Sequence, residues 1–253
     1  MSRDAGRDAD TPRVGVIVPA LNEEKAIELV LCEIPRNAVD QVIVVDNGST
    51  DHTARKAASC GAEVIFEPKR GYGAACQAGI ESLASDTDIV VFLDADHSDY
   101  PEEIEALTLP IAQNRADFVI GSRTLRASSR RVLSWRQSWG NRLATTLIRW
   151  CFGYRYTDLG PFRAIRRRAL ELLCIKDRGY GWTVEMQIKA AGAGLRVMEV
   201  PVRYRPRIGH SKISGSLKGS IFAGAKILST IGRYSLTSHS NCRTFARRTP
   251  PEN

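Results

Sequence analysis

Five apolar residues, Ile89-Val90-Val91-Phe92-Leu93, run directly into two carboxylates, Asp94 and Asp96, set two positions apart. A continuous β-branched and aromatic run of this kind predicts a strand buried on both faces, as in the middle of a parallel sheet. The acids then fall at its carboxyl end, where open α/β sheets form their ligand crevice. Alternate residues of an extended segment point the same way, so both carboxylates can converge on one point, and a divalent cation would relieve their repulsion. The plainer alternative is a pair of solvated loop carboxylates.

The same pattern recurs along the first half of the chain. Val14-Gly15-Val16-Ile17-Val18 ends at Pro19, and Asn22 is placed to cap a helix begun by Glu23-Glu24, with Ala26, Ile27, Val30, Leu31 and Ile34 at helical spacing. Gln41-Val42-Ile43-Val44-Val45 predicts a second strand that delivers Asp46 at its end; Asn47-Gly48-Ser49 makes a turn, and Ser49 or Thr50 caps the next helix. Val64-Ile65-Phe66 is a third strand, followed by Lys69-Arg70-Gly71-Tyr72-Gly73 and a helix over residues 74–83. A glycine-rich turn at a helix start can offer backbone N–H groups to a phosphate, although this one lacks the full dinucleotide fingerprint. Pro101 opens another helix, and Asp117-Phe118-Val119-Ile120-Gly121 is a further strand leading into Ser122-Arg123. Strands alternating with helices predict an α/β fold, a Rossmann-like and mostly parallel central sheet flanked by helices.

The second half changes character. Residues 122–134 read as a polar, arginine-rich loop. Residues 135–152 predict an amphipathic helix with Trp135, Trp139, Leu143, Leu147 and Trp150 in one stripe and Arg136, Arg142 and Arg149 on its flanks, a spacing that usually marks core packing and otherwise membrane contact. Thr157-Asp158-Leu159-Gly160-Pro161-Phe162-Arg163 reads as a turn bearing an acid, Arg166-Arg167-Arg168 begins a helix, and Tyr180-Gly181-Trp182-Thr183 leads into a helix carrying Glu185. Residues 195–205 are extended, with Pro201 marking an edge position. Arg203, Arg205, Arg207, His210 and Lys212 follow in a glycine- and serine-containing loop, a candidate lid over a polyanion. Residues 216–236 predict an amphipathic helix, too polar at Lys218, Lys226 and Arg233 to span a bilayer but suited to lie along its interface. Residues 1–12 and 237–253 read as disordered, the latter basic.

Charge divides the chain at the same place. Residues 1–120 carry 10 Lys and Arg against 22 Asp and Glu, whereas residues 121–253 carry 26 against 6. An acidic half suits a cation; a basic half suits phosphates, an anionic membrane surface or nucleic acid. Aromatic residues are not interleaved with the basic ones on any recognisable RNA-binding motif, which argues against nucleic acid as a partner. The 6 cysteines have neither zinc-ligand nor redox spacing, and the N-terminus lacks the apolar stretch of a signal peptide; both point to reduced thiols in a cytoplasmic protein.

Taken together, Val18-Pro19-Ala20-Leu21-Asn22-Glu23-Glu24, Val44-Val45-Asp46-Asn47-Gly48-Ser49-Thr50-Asp51, Leu93-Asp94-Ala95-Asp96, Gly121-Ser122-Arg123 and the turn over residues 158–163 resemble glycosyltransferase family 2, within it the dolichyl-phosphate mannose and glucose synthases. The resemblance implies a GT-A fold over residues 13–215, with residues 13–121 binding a nucleotide sugar of the GDP-mannose or UDP-glucose type and residues 122–215 facing the acceptor. Pro19, Leu21, Glu23 and Asp46 would hold base and ribose, and Asp94 and Asp96 would hold Mg²⁺ or Mn²⁺ against the diphosphate. Ser98 stands where mannose synthases often carry Gln, so the third ligand is open among His97, Ser98, Asp99 and water. Tyr72 stands where relatives often carry Lys, so Lys69 or Arg70, beside Gly71 and Gly73, would supply that charge. The implied reaction is displacement with inversion at the anomeric carbon by a polyprenyl or dolichyl phosphate, aligned by Arg123, Arg205, Arg207 and Lys212. A hydroxyl acceptor would instead need a base, for which Asp158 and Glu185 are candidates unless they pair with local arginines. The same reading implies peripheral contact with an anionic membrane on its cytoplasmic face. The competing readings are a soluble saccharide acceptor, a sugar nucleotidyltransferase, whose glycine-rich stretch after the first strand is missing, and a non-enzymatic basic module.

Overall fold

The computed structural model describes residues 11–209 and 224–235. Seven strands, β1 (Val14–Ala20), β2 (Gln41–Asp46), β3 (Glu63–Phe66), β4 (Ile89–Phe92), β5 (Phe118–Ser122), β6 (Arg163–Arg166) and β7 (Val197–Pro201), form one sheet in the order β3-β2-β1-β4-β6-β5-β7. All pairings are parallel except the two made by β6. The helices are α1 (Ile27–Glu33), α2 (Thr53–Ser59), α3 (Tyr72–Glu81), α4 (Ile104–Ala112), α5 (Ala127–Val132), α6 (Trp135–Phe152), α7 (Arg167–Leu173) and α8 (Trp182–Gly192). Residues 224–235 are also helical, within the span expected to form the C-terminal amphipathic helix; Lys212 and His210 lie outside the described residues.

The strands alternate their side chains between two apolar layers, as the period of two requires. Val14, Val16, Val18, Val44, Ile89 and Val91 face a layer completed by Ile27, Val30 and Leu31 of α1 and Ile104, Leu107 and Ile111 of α4. Ile17, Ile43, Val45, Val90 and Phe92 face the other, completed by Ala75 and Cys76 of α3, Ala144 and Ile148 of α6, and Trp182, Val184 and Met186 of α8. Burial on both faces is why these strands read as unbroken apolar runs.

The strand missing from the sequence reading is β6. Its Arg-Ala-Ile-Arg sequence carries a charge at each end, yet it lies antiparallel between β4 and β5, and Arg163 is fully buried. The guanidinium is solvated by carbonyls rather than by an acid: Nη1 donates to the Thr183 carbonyl at 3.1 Å, and Nε to that of Gly160 at 3.2 Å. Two local expectations also change. Asn22 caps no helix; it adopts a left-handed φ of 51° and accepts from the Thr50 N–H at 2.7 Å, stitching the loop after β1 to the loop after β2. The start of α2 is bonded by Asp51, whose Oδ1 accepts from the Thr53 N–H at 3.0 Å, while Ser49 accepts from the Asn22 N–H.

Helix α6 has the predicted limits, but the tryptophans of the predicted stripe face out, while Leu147 of the same stripe packs against the core. Asn141, Ala144, Thr145 and Ile148 are buried, whereas Trp135, Trp139 and Trp150 are 74%, 65% and 77% exposed. Small residues let the helix approach the layer beneath, and Asn141 locks it there, donating to the Thr157 carbonyl at 3.0 Å and accepting from the Leu159 N–H at 2.8 Å. The tryptophan stripe is therefore not core. A short helix, α5, occupies the stretch read as an arginine-rich loop.

Candidate active site

The carboxyl ends of β1, β2 and β4 open onto a cavity of about 290 Å³. Of the residues singled out in the sequence, Pro19, Leu21, Glu23, Arg70, Gly71, Asp94, Asp96 and Arg207 line it, joined by Asn47, Tyr72 and Tyr180, which motif reading did not assign. Strand β4 ends at Phe92, so Asp94 and Asp96 sit on the turn that follows. The turn is tied by the Ser98 N–H, which donates to Asp96 Oδ1 at 2.9 Å. Burial, then the nearby charge of Asp96, pushes the Asp94 carboxyl up to about 7. Asp99 lies behind them, 2% exposed, with neither carboxylate oxygen bonded among the described residues; burial and the charges of Asp94 and Asp96 push it well above the usual range.

From the end of β2 and its turn, Asn47 lines the cavity, whereas Asp46 does not. Asp46 is buried, its Oδ1 accepting from the Ser49 N–H at 2.8 Å. Asn47 holds the next loop at three points: its amide donates to the Glu67 and Lys69 carbonyls at 3.0 and 2.8 Å and accepts from the Gly71 N–H at 2.7 Å. Arg70 is thereby set beside Gly48, donating to its carbonyl at 2.9 Å, while Lys69 does not line the cavity. The signal available in the sequence for Asn47 was an Asn-Gly turn placed directly after an apolar strand.

Gly71 and Gly73 have a different reason to be glycine. A Cβ at Gly71 would collide with the Arg178 carbonyl, and one at Gly73 with that of Asp177. The segment leading into α8 passes directly over the start of α3, so the turn is fixed by close backbone packing.

On the other side of the acids, Asp158 is fully buried and holds Arg123. The Arg123 N–H, Nε and Nη2 all donate to its carboxylate at 2.8 Å. Burial disfavours the Arg123 charge, but the attraction and hydrogen bonds of Asp158 together outweigh it and raise its pKa. Glu199 of β7 holds the turn in place, accepting from the N–H groups of Thr157 at 2.9 Å and Asp158 at 3.1 Å. Asp158 is thus an ion-pair partner rather than a free base. Glu185 is placed elsewhere: its side chain is fully buried on α8 and receives the Lys176 N–H at 3.0 Å, the Asp177 N–H at 2.7 Å, the Tyr234 hydroxyl at 2.6 Å and the Lys189 ammonium at 2.8 Å. These contacts tie the side chain to α8 and the segments packed on it, and Glu185 is not among the residues that line the cavity.

Arginines of the arm after β7 close the acidic side. Arg207 Nη1 lies 3.1 Å from Asp96 Oδ2 and Nη2 lies 3.0 Å from Glu23 Oε1. Arg205 is turned away from the acids, bonded to the His97 carbonyl at 2.7 Å and paired with Glu33. Among the described residues, no three histidine, cysteine or acidic side chains converge as a complete metal cage. A raised Asp94, an unbonded Asp99 and an arginine drawn onto Asp96 nonetheless form an acid group short of positive charge. That donor set fits an ion such as Mg²⁺, which uses one or two carboxylates and takes its other oxygens from water and phosphates.

This architecture, a mostly parallel sheet with its acid pair at the strand ends, is a GT-A glycosyltransferase fold. Glucosyl-3-phosphoglycerate synthase from Mycobacterium tuberculosis, solved with Mn²⁺, UDP and glucosyl-3-phosphoglycerate, superimposes with a TM-score of 0.71 over 87% of this chain and 78% of that one, at 24% identity. The sequence profile of glycosyl transferase family 2 matches residues 15–173, and the chain belongs to that family. An uncharacterized glycosyltransferase of Mycobacterium tuberculosis is 42% identical over 83% of this chain and 94% of its own. The undecaprenyl-phosphate mannosyltransferase of Micrococcus luteus is 35% identical over 82% of this chain and 90% of its own. The protein is a family 2 glycosyltransferase, and no helix among the described residues is long and apolar enough to cross a membrane.

Proposed function

We propose that the protein transfers a hexose, with inversion, from a nucleoside-diphosphate sugar of the GDP-mannose or UDP-glucose type to a polyprenyl phosphate. The observation that carries this reading is the cavity itself, where Asp94 and Asp96 face Arg70 and Arg207 at the strand ends. Pro19, Leu21, Glu23 and Asp46 are the groups for base and ribose, and Asp94 and Asp96 hold Mg²⁺ or Mn²⁺. When bound, such an ion neutralises the charge that develops on the departing diphosphate. Ser98 contributes by orienting Asp96 through its backbone N–H.

Arg123 is the acceptor-side cation, its guanidinium fixed by Asp158 so that little freedom is lost when an anion arrives. A phosphate monoester has its second pKa near ~6 and is largely anionic at neutral pH, so it attacks without a protein base. The pairing of Asp158 with Arg123 and of Glu185 with Lys189 agrees with an acceptor of that kind, as does the name of the Micrococcus luteus relative. The exposed tryptophans of α6, with Arg142 and Arg149 on the same side of the helix, suit peripheral contact with an anionic membrane on its cytoplasmic face.

The deciding experiment supplies GDP-mannose or UDP-glucose, Mn²⁺ and undecaprenyl phosphate to the purified protein. The expected products are a glycosyl-phosphoryl lipid and a nucleoside diphosphate. Release of pyrophosphate, or transfer only to soluble hydroxyl acceptors, would overturn the reading.

A further inference from the structure

Arg207 is the one described arginine bridging the metal-side acid Asp96 and the ribose-side acid Glu23. Its backbone is strapped to the acid turn: the Ile208 N–H donates to the Asp96 carbonyl at 3.0 Å, and the Arg205 N–H to the Ser98 carbonyl at 2.9 Å. Its head group is held less completely, since Nε is buried with no partner among the described residues. The guanidinium lies in the same cavity as Asp94. A cation belonging to the chain therefore offsets part of the acid group's charge where a divalent ion is expected.

We infer that Arg207 is a stand-in counter-ion, holding Asp96 and Glu23 in the ligand-free protein and passing to the donor diphosphate when ion and nucleotide bind together. The inference rests on the donor-site reading above and adds a coupling to it. Without nucleotide, Arg207 stays on Asp96 and Glu23 and competes with a divalent ion for Asp96. With nucleotide present, a diphosphate offers the guanidinium a better partner, because forked donors match phosphate oxygens. Ion and nucleotide then bind cooperatively, and each raises the affinity of the other by the same factor. A purely phosphate-binding Arg207 predicts something different: its loss would weaken nucleotide binding and leave the affinity for the ion alone unchanged.

The test is titration of Mn²⁺ alone, followed by the electron paramagnetic resonance of the free ion, into wild type, Arg207→Gln and Arg207→Lys, repeated with saturating UDP or GDP. Arg207→Gln should bind Mn²⁺ alone about two- to fivefold more tightly than wild type, the range expected for losing one partly exposed ion-pair competitor. Arg207→Lys, which keeps the charge, should stay near wild type. The gain in Mn²⁺ affinity on adding nucleotide should shrink in Arg207→Gln. An Arg207→Gln protein that unfolds cooperatively yet binds Mn²⁺ alone no more tightly than wild type would overturn the inference and leave the donor-site reading standing. If Asp96→Asn matches wild type with and without nucleotide, the ion does not use this acid and both ideas fall.

Discussion

Arg123 and Asp158 meet as a two-pronged pair, Nε to Oδ2 and Nη2 to Oδ1, each at 2.8 Å, with Asp158 fully buried and the arginine side chain only 12% exposed. Removing one partner of such a pair leaves a charge without compensation, which costs about 3 kcal/mol or more. Asp158→Asn should therefore lower the unfolding midpoint and turnover together, while the pH-rate profile keeps its shape. Arg123→Lys should recover the charge but not the fork, and remain impaired. A base at Asp158 would give another result: unchanged stability and loss of the acidic limb of the profile.

Asp94 and Asp96 lead to an opposite expectation for stability. Burial and then the charge of Asp96 disfavour the ionised Asp94 carboxylate in the ion-free protein, so Asp94→Asn should unfold at the same temperature as wild type or higher. Transfer should nonetheless fall about 10²- to 10³-fold, the usual loss when one charge-stabilising group is taken from a reacting centre. The addition of Mn²⁺ with UDP or GDP should no longer raise its melting temperature. Equal turnover in Asp94→Asn, Asp96→Asn and wild type would remove both acids from the reaction.

How much of this could be read from the chain follows from what each side chain faces. Strands β1, β2 and β4 were legible because both of their faces are buried, so no polar alternation interrupts the apolar run. Strand β6 was not, because its buried arginine is satisfied by the carbonyls of Leu159, Gly160 and Thr183, a solution that exists only once the turn and α8 have come together. For α6 the period marked the limits but not the side, since Asn141, Ala144, Thr145 and Ile148 turn inward while the three tryptophans face out. The acid pair was legible as two carboxylates placed just past the end of one apolar strand. The contact of Arg207 with Asp96 joins segments with no local relation in sequence, and the engagement of Glu185 depends on Tyr234 and Lys189, which a motif does not specify.

The glycines at the start of α3 separate packing from phosphate binding. Gly73→Ala pushes a methyl group into the Asp177 carbonyl, and overpacking of this kind costs about 1–3 kcal/mol. Urea denaturation should show that loss in the absence of any nucleotide. A variant of wild-type stability that had lost only nucleotide affinity would return the turn to a phosphate-binding role.

Acid sensitivity should have an identifiable part in Asp117. Hydrogen bonds from Arg196, the largest influence, hold its carboxyl below the usual range, and the charges of Arg196 and Arg166 add to the effect. A carboxylate whose pKa is lower folded than unfolded stabilises the fold above the unfolded pKa of ~4, and that contribution is lost as pH falls through the folded value. Asp117→Asn should thus melt below wild type at pH 7, and the two curves should converge as pH approaches ~3. Parallel curves across that window would mean that Asp117 acts through neutral hydrogen bonds rather than through its charge.

The outward tryptophans of α6 carry the prediction about membranes. At 100° per residue, Trp135, Trp139 and Trp150 fall on one side of the helix with Arg142 and Arg149, opposite Asn141, Ala144, Thr145 and Ile148. Indole rings favour the bilayer interface and the arginines favour anionic headgroups, so binding should have an apolar part and a salt-sensitive part. Each indole withdrawn from water is worth about 1 kcal/mol if half of it is covered, so the triple alanine variant should partition about a hundredfold less onto vesicles containing phosphatidylglycerol. Arg142→Gln with Arg149→Gln should weaken binding at low salt and converge with wild type as ionic strength rises. Because the tryptophans lie outside the cavity, the triple variant should keep its Mn²⁺-dependent stabilisation by nucleotide and lose transfer only to acceptors presented in vesicles. Wild-type co-sedimentation by that variant would assign the membrane contact to another surface.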